Sequence, residues 1–204
     1  MTNLIEKLAF VLRCAFYLPH YLLMSVHPRK KVIKNEILRY CSQILYSNDQ
    51  GLKAFLKVMA QIPDFRSLYF SRVGTWGILL KPFTSVRVNL HLFTPDDRIG
   101  EGLLLHHAFS TAILSRQIGK NCEVWQCVTI GKSKSEPGLD ATPLLGSNVK
   151  ISAGAIVIGK ITIGDNSIIG AGSLITKDVP QNVTVVGNPA YIIRRDGERV
   201  NERL

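Results

Sequence analysis

The chain's four cysteines lack the two close pairs that would clasp a metal ion. Cys14, Cys41, Cys122 and Cys127 fall among apolar neighbours, so they read as reduced packing residues of a cytosolic protein, not as zinc ligands or a disulfide framework. Histidines are also few. Only His91, His106 and His107 lie beyond residue 90, and two of them are adjacent, which argues against three imidazoles converging on one zinc ion. No metal is expected. Aromatic residues make up 8% of the chain and do not interleave with the basic ones, so the stacking platform of a nucleic-acid binder is missing. The apolar stretch 8–26 is broken by Arg13, Pro19 and His20, which argues against a membrane-spanning helix. Glu6 and the want of a small-residue cleavage site argue against a signal peptide.

Acidic residues are scarce where basic ones gather. Residues 1–70 carry ten basic against four acidic side chains and residues 71–204 fifteen against eleven, for a net charge of +10. The run His27-Pro28-Arg29-Lys30-Lys31 directly follows the apolar stretch. Residues 8–31 therefore suit either peripheral contact with the anionic inner face of a membrane or packing against other subunits.

What the chain has is a period of six. Leu145, Ile151, Val157, Ile163, Ile169 and Ile175 fall at strict six-residue intervals, and Gly146, Gly164 and Gly170 follow three of them. That period is neither helical nor that of an ordinary strand. It predicts a coiled parallel β-structure in which each hexad forms one face of a prism and three hexads make one turn. Upstream, Ile99 and Leu105 hold one phase and Ile118, Val124 and Ile130 another, so a residue is inserted near Thr111; a second break covers 132–144. The fourth position after each aliphatic is small or modest (Cys122, Val128, Val149, Ala155, Ser167, Ser173), as a narrow interior requires, although Leu103 and Phe109 are bulky. Twelve hexads give roughly four turns at about 4.8 Å each.

The first ninety residues lack this period. Ile33, Ile37, Leu38, Cys41, Ile44 and Leu45 line one helical face. Ser47 with Gln50 reads as a capping box for a second helix carrying Leu52, Phe55, Leu56 and Met59, which Pro63 ends. A third apolar segment, 65–80, contains Gly74 and Gly77. The fold class is mostly β: an α-helical region at 1–90 leads through Pro82 into a β-prism at 91–190, and a C-terminal tail follows at 191–204.

The chemistry gathers in an early hexad. The run Gly102-Leu103-Leu104-Leu105-His106-His107-Ala108 sets two histidines side by side, and alternation lets only one of them face a given cleft. Further on come Ile118-Gly119-Lys120-Asn121-Cys122, Gln126-Cys127-Val128-Thr129-Ile130-Gly131, and Lys177-Asp178-Val179-Pro180 followed by Val186-Gly187-Asn188-Pro189-Ala190. Through these pieces, over about 65–195, the chain resembles the serine O-acetyltransferase-like branch of the hexapeptide acyltransferases, and within it the surface-polysaccharide O-acetyltransferases. The resemblance implies a left-handed parallel β-helix, acetyl-CoA as co-substrate in a groove between neighbouring prisms, and a cytoplasmic homotrimer or dimer of trimers. It gives His107 the role of catalytic base. The residue type suits that role, because an imidazole with its ordinary pKa near 6.5 takes the proton of an alcohol as the oxygen attacks the thioester.

Carried over position by position, Ala153, Ala171, Thr176, Lys177 and Arg194 are the implied acetyl-CoA contacts, with Lys177 and Arg194 meeting phosphate charge. Tyr191 stands where several relatives have an arginine, and Arg195 is the available substitute. The departures bear on the acceptor. Where serine enzymes have aspartate before the histidine, this chain has His106; their arginine-histidine pair is Ala141-Thr142; their acidic partner aligns with Leu92, leaving Asp96 or Asp97. A zwitterion needs both charges met. The expected acceptor is therefore an uncharged saccharide hydroxyl in surface-polysaccharide biosynthesis, with His106, Trp125 and Thr142 at its site. Serine O-acetylation in cysteine biosynthesis is the alternative, and a non-catalytic β-helix scaffold is the alternative of another class.

Overall fold

The six-residue ladder lies inside the protein. In the computed structural model, which describes residues 2–133 and 138–204, Ile99, Leu105, Ile118, Val124, Ile130, Leu145, Ile151, Val157, Ile163, Ile169 and Ile175 are all buried. The second break in the repeat includes residues 134–137, which lie outside the described residues. The chain divides into two units, Met1–Arg87 and Val88–Leu204.

In the second unit the strands are short, as three narrow faces require: β1 (Leu90–Leu92), β2 (Leu104–Leu105), β3 (Thr111–Ile113), β4 (Gln117–Ile118), β5 (Glu123–Val124), β6 (Thr129–Gly131), β7 (Leu144–Leu145), β8 (Lys150–Ile151), β9 (Ile156–Ile158), β10 (Thr162–Ile163), β11 (Ile168–Ile169), β12 (Leu174–Ile175), β13 (Val183–Val186), β14 (Tyr191–Arg195) and β15 (Glu198–Arg203). One sheet has the order β1-β3-β6-β9-β12, a second β4-β7-β10, and a third begins β2-β5-β8-β11-β13, all in parallel register. Bridges from Ile99 to Ile118 and from Ile163 to Val179 extend the second sheet at both ends. Each face thus carries five rungs, one more turn than the hexads suggest, because Leu92, Val179 and Val185 act as rungs outside the strict period.

Two columns of corner residues hold the turns together. Asn148, Asn166 and Asn182 adopt left-handed backbone at φ 57°, 58° and 59°, which asparagine tolerates. Their side chains bond in series, Asn148 Nδ2 to Asn166 Oδ1 and Asn166 Nδ2 to Asn182 Oδ1, at 2.9 Å each. At a neighbouring corner a Cβ on Gly119 would collide with the backbone of Gly146, which explains the glycine after that ladder residue. The interior accepts Leu103, fully buried, but Phe109 turns outward and is 46% exposed.

Residues 191–204 are not a tail. β14 pairs antiparallel with β13, and β15 with β14. The hairpin satisfies the polar edge that β13 would otherwise leave open and buries Ile192.

The first unit contains α1 (Thr2–Phe16), α2 (Leu18–Val26), α3 (Lys30–Gln43), α4 (Gly51–Gln61) and α5 (Pro63–Val73). Tyr40, Phe55, Phe65 and Tyr69 are fully buried. α3 buries Ile33, Ile37 and Cys41 but leaves Leu38 exposed, and it ends before Ile44 and Leu45. It also buries Glu36, because Arg72 of α5 meets that carboxylate at 2.5 Å; a buried charge persists only with such a partner. The capping box does not form. Ser47 Oγ donates instead to Asp49 Oδ2 at 2.6 Å, and Asp49 also pairs with Lys53 and Lys57. Pro63 both ends α4 and opens α5, where its missing N–H costs nothing. α1 and α2 leave Leu4, Ile5, Leu8, Val11, Leu12, Leu22 and Val26 exposed. Leu4–Val26 is long and apolar enough to cross a bilayer by length and composition, yet His20 in its middle is buried against Tyr17 and Tyr69.

Candidate active site

The first phase break and the two histidines are one feature. Corners 125–128, 152–155 and 170–173, which connect the third sheet to the first, hold four residues each, whereas the corner between β2 and β3 holds five, 106–110. The extra residue cannot enter a filled interior, so the backbone bulges outward. Left-handed φ occurs there twice, at His107 (47°) and Ser110 (49°), against once in each shorter corner, at Cys127, Gly154 or Gly172. His107 is exposed. Backbone of this kind costs energy in a non-glycine residue and gathers where a side chain is presented for function.

Strand pairing sets what stands beside it. Leu104 and Leu105 pair with Glu123 and Val124, and the ladder continues from the His106 N–H to the Val124 carbonyl at 2.8 Å. His106 therefore lies against Trp125, the rings within 8° of parallel and 4.2 Å apart at their centroids. His106 Nε2 is 3.3 Å from Glu123 Oε2 but lacks the alignment of a hydrogen bond, so the contact is electrostatic rather than directional. Glu123 is 6% exposed, and its other oxygen meets Lys150 Nζ at 3.3 Å. Sequence reasoning missed Glu123. Its place beside His106 follows only from the register of β2 on β5, across the very break that obscures the period.

The corner column continues below. Cys127 N–H donates to the Phe109 carbonyl, Gly154 N–H to Gln126 and Gly172 N–H to Ala153. Ala153 and Ala171 thus occupy corners two and three rungs from His107. Both reach the surface, and a Cβ on Gly172 would meet nothing within 4 Å, so these small residues line open space rather than fill the interior. Cys127, in the same column, is exposed and not a packing residue. At the foot, Leu174, Thr176, Lys177, Asn188, Pro189, Ala190, Arg203 and Leu204 line a pocket of about 200 Å³. Three to four strand spacings separate it from His107, roughly 14–19 Å. A groove of small residues ending in cationic groups fits an elongated carrier with phosphate at one end. Arg194 does not join that pocket; it is exposed on β14, opposite Thr184 and Arg199. Arg195 is tied to Glu202 at 2.5 Å.

Of the three expected acceptor residues, His106 and Trp125 stand together and Thr142 does not join them. Thr142 is fully buried at a different corner, its hydroxyl donating to the Leu139 carbonyl at 2.5 Å, and Ala141 is buried beside it in sequence. Trp125 has one face covered by His106. No group of three or more His, Cys, Asp or Glu side chains that could hold a metal gathers among the described residues.

The bacterial transferase hexapeptide (six repeats) family matches residues 142–177. The serine acetyltransferase of Synechococcus elongatus is 34% identical over 168 residues, covering 78% of this chain and 68% of that protein. Against some other curated relatives the chain spans about half of their length. The crystal structure of Neisseria gonorrhoeae serine acetyltransferase in complex with serine is 27% identical and covers 85% of this chain and 72% of its own, with a TM-score of 0.66. That of the Brucella abortus enzyme in complex with coenzyme A is 25% identical and covers 88% and 72%, with a TM-score of 0.62. Relatives at 34–40% identity are serine acetyltransferases, which overturns the expected closeness to surface-polysaccharide enzymes and the saccharide acceptor drawn from it. The fold brings the Glu123 carboxylate within 3.3 Å of His106, so replacing aspartate by His106 does not strip this corner of negative charge. With similarity running through more than two thirds of both chains, on the same stacked parallel sheets, the chain belongs to the serine acetyltransferase family.

Proposed function

We propose that the chain transfers the acetyl group of acetyl-CoA to the hydroxyl of L-serine, with His107 as general base, on a prism wound as a left-handed β-helix. The observation that carries this reading is the 34% identity to a serine acetyltransferase over 168 residues. Acetyl-CoA is the co-substrate and supplies an activated thioester. In the transfer a bond forms between the serine oxygen and the acetyl carbon while the C–S bond breaks, and the hydroxyl proton passes to His107 and then to the departing thiolate. His107 suits the role because it is exposed and its ring has no hydrogen-bond partner among the described residues. Glu123 answers the missing aspartate: a carboxylate 3.3 Å from His106 supplies negative charge for the ammonium of the acceptor. Ala153 and Ala171 leave room along the corner, and Thr176 and Lys177 receive the far end of the donor.

Mass spectrometry of a reaction containing acetyl-CoA and L-serine tests the reading. O-acetylserine is the expected product; consumption of acetyl-CoA with no serine-dependent product would overturn it. We also propose assembly as a homotrimer or a dimer of trimers. The exposed apolar stripe on α1 and α2 supports this, since a contiguous patch of that kind marks an interaction surface.

A further inference from the structure

We propose that Arg203 binds a phosphate of the CoA donor jointly with Lys177. The inference rests on the reading of acetyl-CoA as donor and adds a residue that nothing in the sequence pointed to. Its first support is register. In the antiparallel pairing of β14 with β15, Tyr191 lies directly opposite Arg203, which sets Arg203 beside the chain that has just lined the pocket through Asn188, Pro189 and Ala190.

The second support is position. Arg203 lines the same pocket of about 200 Å³ as Thr176 and Lys177. Lys177 Nζ donates to the Leu204 main-chain oxygen at 3.0 Å, and the Leu204 N–H donates to the Ala190 carbonyl at 3.0 Å, so the strand end is fastened across the pocket wall. An ammonium has three donors, and that one bond leaves Lys177 with two for an anion. The third support is elimination. Arg195 is spent on Glu202 at 2.5 Å and Arg194 does not line the pocket, whereas Arg203 is exposed and its guanidinium has no partner among the described residues. A planar guanidinium beside an ammonium suits the two-pronged capture of a phosphate.

Calorimetric titration of the full chain with CoA, 3′-dephospho-CoA and phosphate-free pantetheine tests the proposal, using wild type, Arg203→Ala, Arg203→Lys and Arg195→Ala. Arg203→Ala is expected to weaken CoA roughly 10- to 100-fold, the worth of a charged hydrogen bond, and to leave pantetheine unchanged. Arg203→Lys should recover part of the loss, and Arg195→Ala should bind like wild type. A smaller loss with 3′-dephospho-CoA assigns the contact to the 3′-phosphate, and an equal loss assigns it to the diphosphate; both support the proposal. Wild-type affinity for CoA in Arg203→Ala overturns it, as does an equal loss of pantetheine, which marks a merely structural role. Wild type that binds pantetheine and CoA alike overturns the phosphate contact alone. Wild type that binds neither overturns the donor reading, and the proposal with it.

Discussion

His107 sits on left-handed backbone at φ 47° in the one five-residue corner of its column, and its ring is the exposed basic group there. His107→Ala should keep the fold and CoA binding while turnover falls at least about 100-fold. His106→Ala should cost much less, since that ring stacks on Trp125 and does not reach out; the reverse ranking in steady-state assays would exchange their roles. Glu123→Gln keeps the size and removes the charge, so the Michaelis constant for serine should rise about tenfold or more while kcat changes less. An unchanged Michaelis constant would show that the acceptor does not use this carboxylate. At this scale the ladder residues were legible in the sequence, because burial repeats with the period. Glu123 was not, because its neighbour His106 lies seventeen residues back and a phase break hides the register. Thr142 was misjudged because a buried hydroxyl bonded to a carbonyl looks, in sequence, like any other polar loop residue.

The helical elements carry their own pH dependence. His20 of α2 donates from Nε2 to Thr84 Oγ1 at 2.8 Å, since the Thr84 hydroxyl is itself donated to the Leu80 carbonyl. Its Nδ1 is buried without a partner, and burial pushes its pKa down to about 4. The unfolded chain takes up that proton near 6.5. The stability held by neutral His20 is therefore fully present above about pH 6.5 and is lost as pH falls toward 4, on the order of 1–3 kcal/mol. Chemical unfolding followed by helical circular dichroism should show a lower midpoint at pH 5 than at pH 7.5, and His20→Gln should flatten that difference. A pH-independent midpoint in wild type would count against the buried neutral ring. Elements outside the hexad period were the poorly legible ones. β14 and β15 follow no six-residue rhythm, and the expected cap at Ser47 lost to the nearer Asp49 carboxylate.

For the whole molecule, the unpartnered stripe through Leu8, Leu12 and Leu22 sets an expectation about association. Light scattering should give the mass of a trimer or hexamer, and Leu8→Glu with Leu12→Glu should lower a hexamer to trimers. An unaltered mass, with loss of binding to anionic vesicles, would make the stripe a lipid contact instead. A monomer at micromolar concentration would count against assembly altogether. The architecture of the prism was legible from period alone, while the acceptor was not, because charge at a site is a property of neighbouring turns and not of single aligned positions. The most direct test of the account is the release of CoA thiol with and without L-serine, for wild type and His107→Ala at neutral pH. The account predicts serine-dependent release that yields O-acetylserine and falls at least about 100-fold in the variant; release indifferent to serine, or surviving the substitution, would contradict it.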